Sequence, residues 1–171
     1  MSQKCKELFP HQDNNSLNEF YGNPMGRNGQ PSAKWESENL TYWVPPYPIW
    51  FSVNTKQQLK KLRVHKKLVN TFDAAFKDVL NHFGIDKIKE LRLDISGGTY
   101  MYRLERGGSN LSVHSWGCAI DMDPVHNPFP REWKPGMIDT TFCQIMESHG
   151  FWWRGENHDV DPMHFQCCWR G

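Results

Sequence analysis

The sequence predicts an α+β fold. A small antiparallel sheet packs against a long N-terminal helix and a second helix, and an irregular N-terminal arm precedes them. Three observations carry this. Apolar residues first recur every three or four positions and later alternate. The helical and strand patterns are segregated along the chain rather than interleaved, the order expected of α+β and not of a parallel sheet. Finally, 171 residues with 38% hydrophobic content, eight Trp and ten Phe hold enough apolar surface for one sizeable, largely aromatic core.

Residues 1–40 are polar and rich in Asn, Gly and Ser, with turn signals at Gly22-Asn23-Pro24 and Asn28-Gly29, and are expected to be irregular. TYWVPPYPIWF (41–51) mixes aromatics with prolines, so a central strand is not expected there; an extended strap packing its rings on the domain is. Thr55-Lys56-Gln57-Gln58 reads as a capping box. Leu59, Leu62, His65, Val69, Phe72, Phe76, Leu80 and Phe83 then follow at helical spacing and Gly84 supplies a stop, which predicts a helix over 56–83. His65 lies on the apolar stripe and is expected to be structural. LRLDIS (91–96) and TYMYRLER (99–106) read as strands joined by Gly97-Gly98, and GCAIDMD (117–123) as a third. A second helix is predicted over 137–149, and strands over 151–154 and 164–170. The organisation is one domain: residues 1–54 form an arm and strap packed on a folded unit at 55–171.

Twenty Lys and Arg against nineteen Asp and Glu leave a net charge of +1, so a global basic field for nucleic acid is absent. Between Lys56 and Lys67 six basic residues occur without an acid, which reads either as a solvated face or as attraction to an anionic polymer. The uncharged, largely apolar stretch 40–53 is too short and too proline-rich to span a bilayer as a helix. MSQKCKELFP lacks the apolar core of a signal peptide, so synthesis in a cytosol without a secretion signal is expected. Five cysteines without a C-x-x-C pattern predict buried reduced thiols and no cysteine-based metal site.

The chemistry concentrates in two segments, Ser112-Val113-His114-Ser115-Trp116-Gly117-Cys118-Ala119-Ile120-Asp121 and Asp159-Val160-Asp161-Pro162-Met163-His164-Phe165-Gln166. His114 precedes a turn that Gly117 allows. Asp121 shares a strand face with Ala119, a small residue that leaves room for an ion and a substrate. His164 opens another strand. If the two strands are neighbours, His114, Asp121 and His164 converge into a three-ligand zinc site that leaves a fourth position for water, the mark of a catalytic centre. A buried His–Asp hydrogen bond without metal is the competing reading of the same spacing. Asp161, held by Pro162 three residues before His164, suits a base that does not itself bind metal. Arg103, on the preceding predicted strand, suits a cation for a substrate carboxylate or an oxyanion.

SVHSWGCAID resembles the SxHxxGxAxD motif of the zinc D-alanyl-D-alanine carboxypeptidases and L-alanyl-D-glutamate endopeptidases of bacterial cell-wall metabolism. That group includes vancomycin-resistance enzymes and several phage endolysins. DPMHF resembles the second motif of the same group, an acid, two residues and the last histidine. Tyr100-Met101-Tyr102-Arg103 resembles the stretch carrying the substrate-binding arginine. The resemblance runs over about 91–170, roughly half the chain.

It implies His114, Asp121 and His164 as zinc ligands, Asp161 as general base, Arg103 as stabilising cation, and Ser112 as a substrate or supporting contact. His158, with Glu156 and Asp159, is expected at the rim, and His158 is the one expected to help bind substrate. The carboxypeptidases usually carry Glu at the position of Asp161, so Asp looks more like the endolysin-type endopeptidases. Gln166, where Glu is frequent, is a milder departure.

The activity so implied is a phage endolysin-type zinc peptidase cutting a peptidoglycan stem peptide between L-alanine and D-glutamate. It would act on the cell wall as a monomer, after release by a partner such as a holin or carriage in a virion, without inserting in the membrane. The alternatives are a D-alanyl-D-alanine carboxypeptidase and a non-catalytic hedgehog-like zinc module. Asp161 and Arg103 argue against the last, since a pure binder needs no base.

Overall fold

The computed structural model describes residues 3–156 and 159–171. The fold is α+β as expected. Six short strands form the main sheet: β2 (Trp50–Phe51), β3 (Asn54–Gln58), β5 (Ile95–Gly98), β6 (Ala119–Met122), β7 (Trp152–Trp153) and β8 (His164–Gln166). Their order is β3-β2-β5-β6-β8-β7, and every neighbouring pair is antiparallel except β2 with β5. A separate antiparallel pair joins β1 (Leu40–Trp43) to β4 (Leu62–His65).

Two helices, α4 (Val69–Glu90) and α5 (Thr140–Ser148), share an aromatic core with the sheet. Phe76 meets Phe142 edge-on at 6.3 Å, and Phe142 meets Phe165 of β8 at 5.5 Å. Ile120 and Phe165, directly paired across β6 and β8, are both fully buried. Because side chains alternate along a strand, Ala119, Asp121, His164 and Gln166 project to the opposite face.

The N-terminal segment is more regular than its composition suggests. It holds three short helices, α1 (Gln3–Leu8), α2 (Asn14–Tyr21) and α3 (Ala33–Asn39). Asp13 caps α2 through Ser16 N–H, and Ser32 caps α3 through Trp35 N–H, local hydrogen bonds that make short helices affordable. The strap contributes Trp50 and Phe51 to an internal strand, with partners in β3 on one side and β5 on the other. Its three prolines lie outside the strands, which removes the objection to a strand there.

The long helix starts later than predicted. Residues 54–58 form β3, and 62–65 form β4 against β1. The side chain of Asn54 accepts from Lys56 N–H, a turn contact that replaces the expected capping box. The spacing of Leu59, Leu62 and His65 fits a helix by coincidence, while the buried pair Leu62 and Val64 follows the strand period. His65 is structural: burial pushes its pKa down to about 4, and its Nδ1 accepts from Lys67 N–H where the chain turns into α4. Gly84 interrupts the helix with φ 68° and ψ 164°, but the helix resumes to Glu90.

Residues 99–106 are not a strand. They run as an irregular segment touching 111–115, with an isolated bridge between Leu104 and Leu111. The remaining strands and α5 are shorter than predicted, and β5 is displaced to Ile95–Gly98, taking in the Gly97-Gly98 pair expected to be a junction. All five cysteines are buried free thiols, and among the described residues no helix is long and apolar enough to cross a membrane.

Gly117 is a tight point of this framework. Its φ is 66°, and a Cβ there would lie 2.9 Å from the backbone N of His65. Gly117→Ala is expected to cost about 1–3 kcal/mol, because both the left-handed backbone and the approach to β4 must yield. A thermal melt of the variant checks this.

Candidate metal centre

Strands β6 and β8 run in a register that places Asp121 opposite His164. His114 arrives from a single 3₁₀ turn, Val113–Trp116, which ends at the left-handed Gly117. One ligand atom from each of His114, Asp121 and His164 falls within 4.8 Å of the others.

The hydrogen bonds around the two imidazoles assign their tautomers. His114 donates Nδ1–H to the carbonyl of Thr99 at 2.5 Å. Its Nε2 is then the bare nitrogen; it is buried without a hydrogen-bond partner, 3.3 Å from Asp121 Oδ2. His164 is arranged the other way round. The NH₂ of Gln166 donates to Gln12 Oε1 at 2.8 Å and to the Cys168 carbonyl at 2.9 Å, so Gln166 Oε1 faces His164 Nε2 at 2.9 Å. Nε2 therefore carries the hydrogen, and Nδ1, 2.8 Å from Asp121 Oδ1, is bare.

Two lone pairs thus face one carboxylate, an arrangement that needs a proton or a cation between its members. Two imidazole nitrogens and a carboxylate oxygen are the donor set of a three-ligand zinc site, and Thr99 and Gln166 act as the outer acceptors that hold the rings. Burial alone would raise the Asp121 carboxyl, but the imidazoles of His114 and His164 beside it hold it well below the usual range. Burial would lower His114, yet the facing Asp121 carboxylate raises it.

The three residues line one wall of a cavity of about 520 Å³. Asp161 lines it too. Among the described residues its Oδ1 is buried without a hydrogen-bond partner, while Oδ2 is 3.5 Å from Arg154 Nη1. Arg154 is itself held by both oxygens of Asp159, at 2.9 and 3.0 Å, so Asp161 is steered by an already paired cation. Arg103 is also on the cavity wall. Its backbone N–H donates to Ser115 Oγ and its carbonyl accepts from Ser112 N–H, which ties the irregular segment to the His114 turn. Ser112 lines the cavity as well, and among the described residues no group hydrogen-bonds its hydroxyl. His158 lies outside the described residues.

One expectation fails here. A strand over 99–106 would point Arg106 away from Arg103, but the irregular backbone turns both into the same cavity. Several contributors had no sequence signal. Gln12 reaches Gln166 from the other end of the chain, Thr99 supplies only a carbonyl, and Arg154 acquires meaning only once Asp161 is beside it.

Residues 106–167, just over a third of the chain, match the family model described as D-alanyl-D-alanine carboxypeptidase. The chain is a metallopeptidase. The matched segment contains Ser112, His114, Asp121, Asp161 and His164, and Arg103 lies just ahead of it. No curated protein and no solved structure matches the chain.

In the metallopeptidase, Gln166→Leu keeps side-chain bulk and removes the acceptor that holds His164 Nε2–H. Metal affinity is expected to fall about 10–100-fold, as for other outer-shell losses. Competition against a chromophoric chelator measures it, with circular dichroism to confirm folding.

Proposed function

We propose that the chain is a zinc-dependent peptidoglycan peptidase of endolysin type that hydrolyses the L-alanyl-D-glutamate amide of the stem peptide. The observation that supports it most is the pairing in one cavity of two imidazoles with bare nitrogens turned to Asp121 and a buried, unpaired carboxylate oxygen on Asp161. In this reading His114 Nε2, His164 Nδ1 and an Asp121 oxygen hold zinc. Bound zinc supplies a Lewis acid and lowers the pKa of water toward neutrality.

The chain's own groups do the rest. Asp161 Oδ1 accepts the proton of the attacking water and returns it to the leaving amine. Arg154 keeps that carboxylate oriented through Oδ2. Arg103 holds a substrate carboxylate or the developing oxyanion, and Ser112 offers a hydroxyl to the substrate backbone. Residues 1–54 pack on a catalytic unit at 55–171. Monomeric action on the wall after holin-dependent release belongs to the same reading.

The description of the matching family favours a second reading, removal of terminal D-alanine by a D,D-carboxypeptidase. Purified sacculi digested by the zinc-loaded protein and analysed by mass spectrometry separate the two. New N-terminal D-glutamate supports the endopeptidase, released alanine supports the carboxypeptidase, and intact stems overturn both.

A further inference from the structure

Four arginines line the cleft: Arg103, Arg106, Arg154 and Arg170. Two of them are already neutralised. Arg154 grips Asp159 and leans on Asp161, and Arg170 lies 3.7 Å from the same Asp159. Arg103 and Arg106 form no ion pair among the described residues.

Two further acids on the cavity wall are otherwise engaged. Asp13 is the cap of α2 and bonds His11, and Glu105 is shared with Gln12 at 3.4 Å. The cleft therefore presents two guanidinium groups without carboxylate partners, and they occupy different places. Arg103 also lines a small recess beside His114 and Asp121, formed with Gly97–Met101, and Arg106 does not. Arg106 instead lies over the ring of Phe129, 5.4 Å from its centroid, and both face the larger cavity. The ring restrains the guanidinium plane at little cost in hydration, leaving its N–H fork free.

We propose that Arg106, seated on Phe129, is a second carboxylate-binding subsite, separate from the one at Arg103. The substrate is then an acidic peptide with two carboxylates, one next to the scissile amide and one further along the chain. This rests on the peptidase reading and narrows it: a substrate ending at the residue just beyond the cut leaves Arg106 without a partner. An arginine fork matches a carboxylate through two parallel hydrogen bonds, and a carboxamide can accept from only one side.

The test uses two synthetic stem peptides that differ only in having a carboxylate or a carboxamide on the residue beyond the cut one. Binding to the zinc-loaded Asp161→Asn protein is measured by calorimetry, and turnover with the protein bearing Asp161. Amidation is expected to weaken binding about 10–100-fold, the range for a charge-assisted hydrogen bond, and to raise KM with little change in kcat. Arg106→Gln should bind the acid peptide as weakly as the amide and no longer distinguish them. Arg106→Lys should restore part of the preference, since charge returns without the fork.

Equal binding of both peptides by the protein with Arg106 overturns the subsite, as does an amidation penalty that persists in Arg106→Gln. If neither peptide is cut, the peptidase reading falls, and the binding comparison still decides the subsite.

Discussion

Asp161→Asn is expected to keep its metal and its melting temperature and to lose kcat roughly 10²–10⁴-fold, the share that a positioned general base supplies. The exchange is nearly isosteric. Oδ2 is replaced or retained opposite Arg154, whose main partner is Asp159, so the local packing survives. What disappears is the proton acceptor at Oδ1, an atom buried with no partner among the described residues. KM should move little, because the loss falls on the transition state. Turnover of a defined stem peptide by the zinc-loaded variant measures this. Near-normal kcat in a folded, metallated variant would place the base elsewhere, with Asp159 already committed to Arg154 and therefore a poor substitute.

His164→Ala should remove stoichiometric metal and abolish hydrolysis, whereas Asp161→Asn should do only the second. Elemental analysis after dialysis distinguishes them. In the parent protein, chelation should reproduce the His164→Ala phenotype and added zinc should reverse it. Metal loading should also raise the thermal midpoint in a concentration-dependent way, since the ion binds the folded chain and the unfolded chain lacks the assembled site.

The pH dependence follows from the ligand set. Asp121, held well below the ordinary carboxylate range, stays ionised at neutral and mildly acid pH. His114 is raised, so its proton competes with metal from above the usual histidine range, and affinity should fall as pH drops through that range. Above it the competition ends. A metal titration at several pH values checks the sign.

The convergence of His114, Asp121 and His164 is legible in the sequence because it depends on short-range rules. Gly117 allows a turn three residues after His114, and strand alternation then decides which face Asp121 and His164 share. What surrounds them is not legible. Gln12 and Gln166 are separated by most of the chain, and no pattern in either segment announces that their side chains will meet.

The misplaced start of α4 has a different origin. Over Leu59–His65 the helical and strand periods overlap, and the outcome was decided by pairing of β4 with β1, a tertiary contact. Residues 99–106 failed for the same reason in reverse: their alternation is genuine, but Ser115 and the His114 turn occupy the hydrogen-bonding groups that a strand partner would need.

The arm has one more property. Gln12 is tied to the far end of the chain twice, by its N–H to the Trp169 carbonyl and by its side chain to Gln166, and Trp169 N–H answers to Pro10. Undocking the arm would therefore strip one of the two anchors from the amide that sets the His164 tautomer. If losing that anchor weakens metal binding, arm docking and ion capture are linked, and each strengthens the other by the same factor.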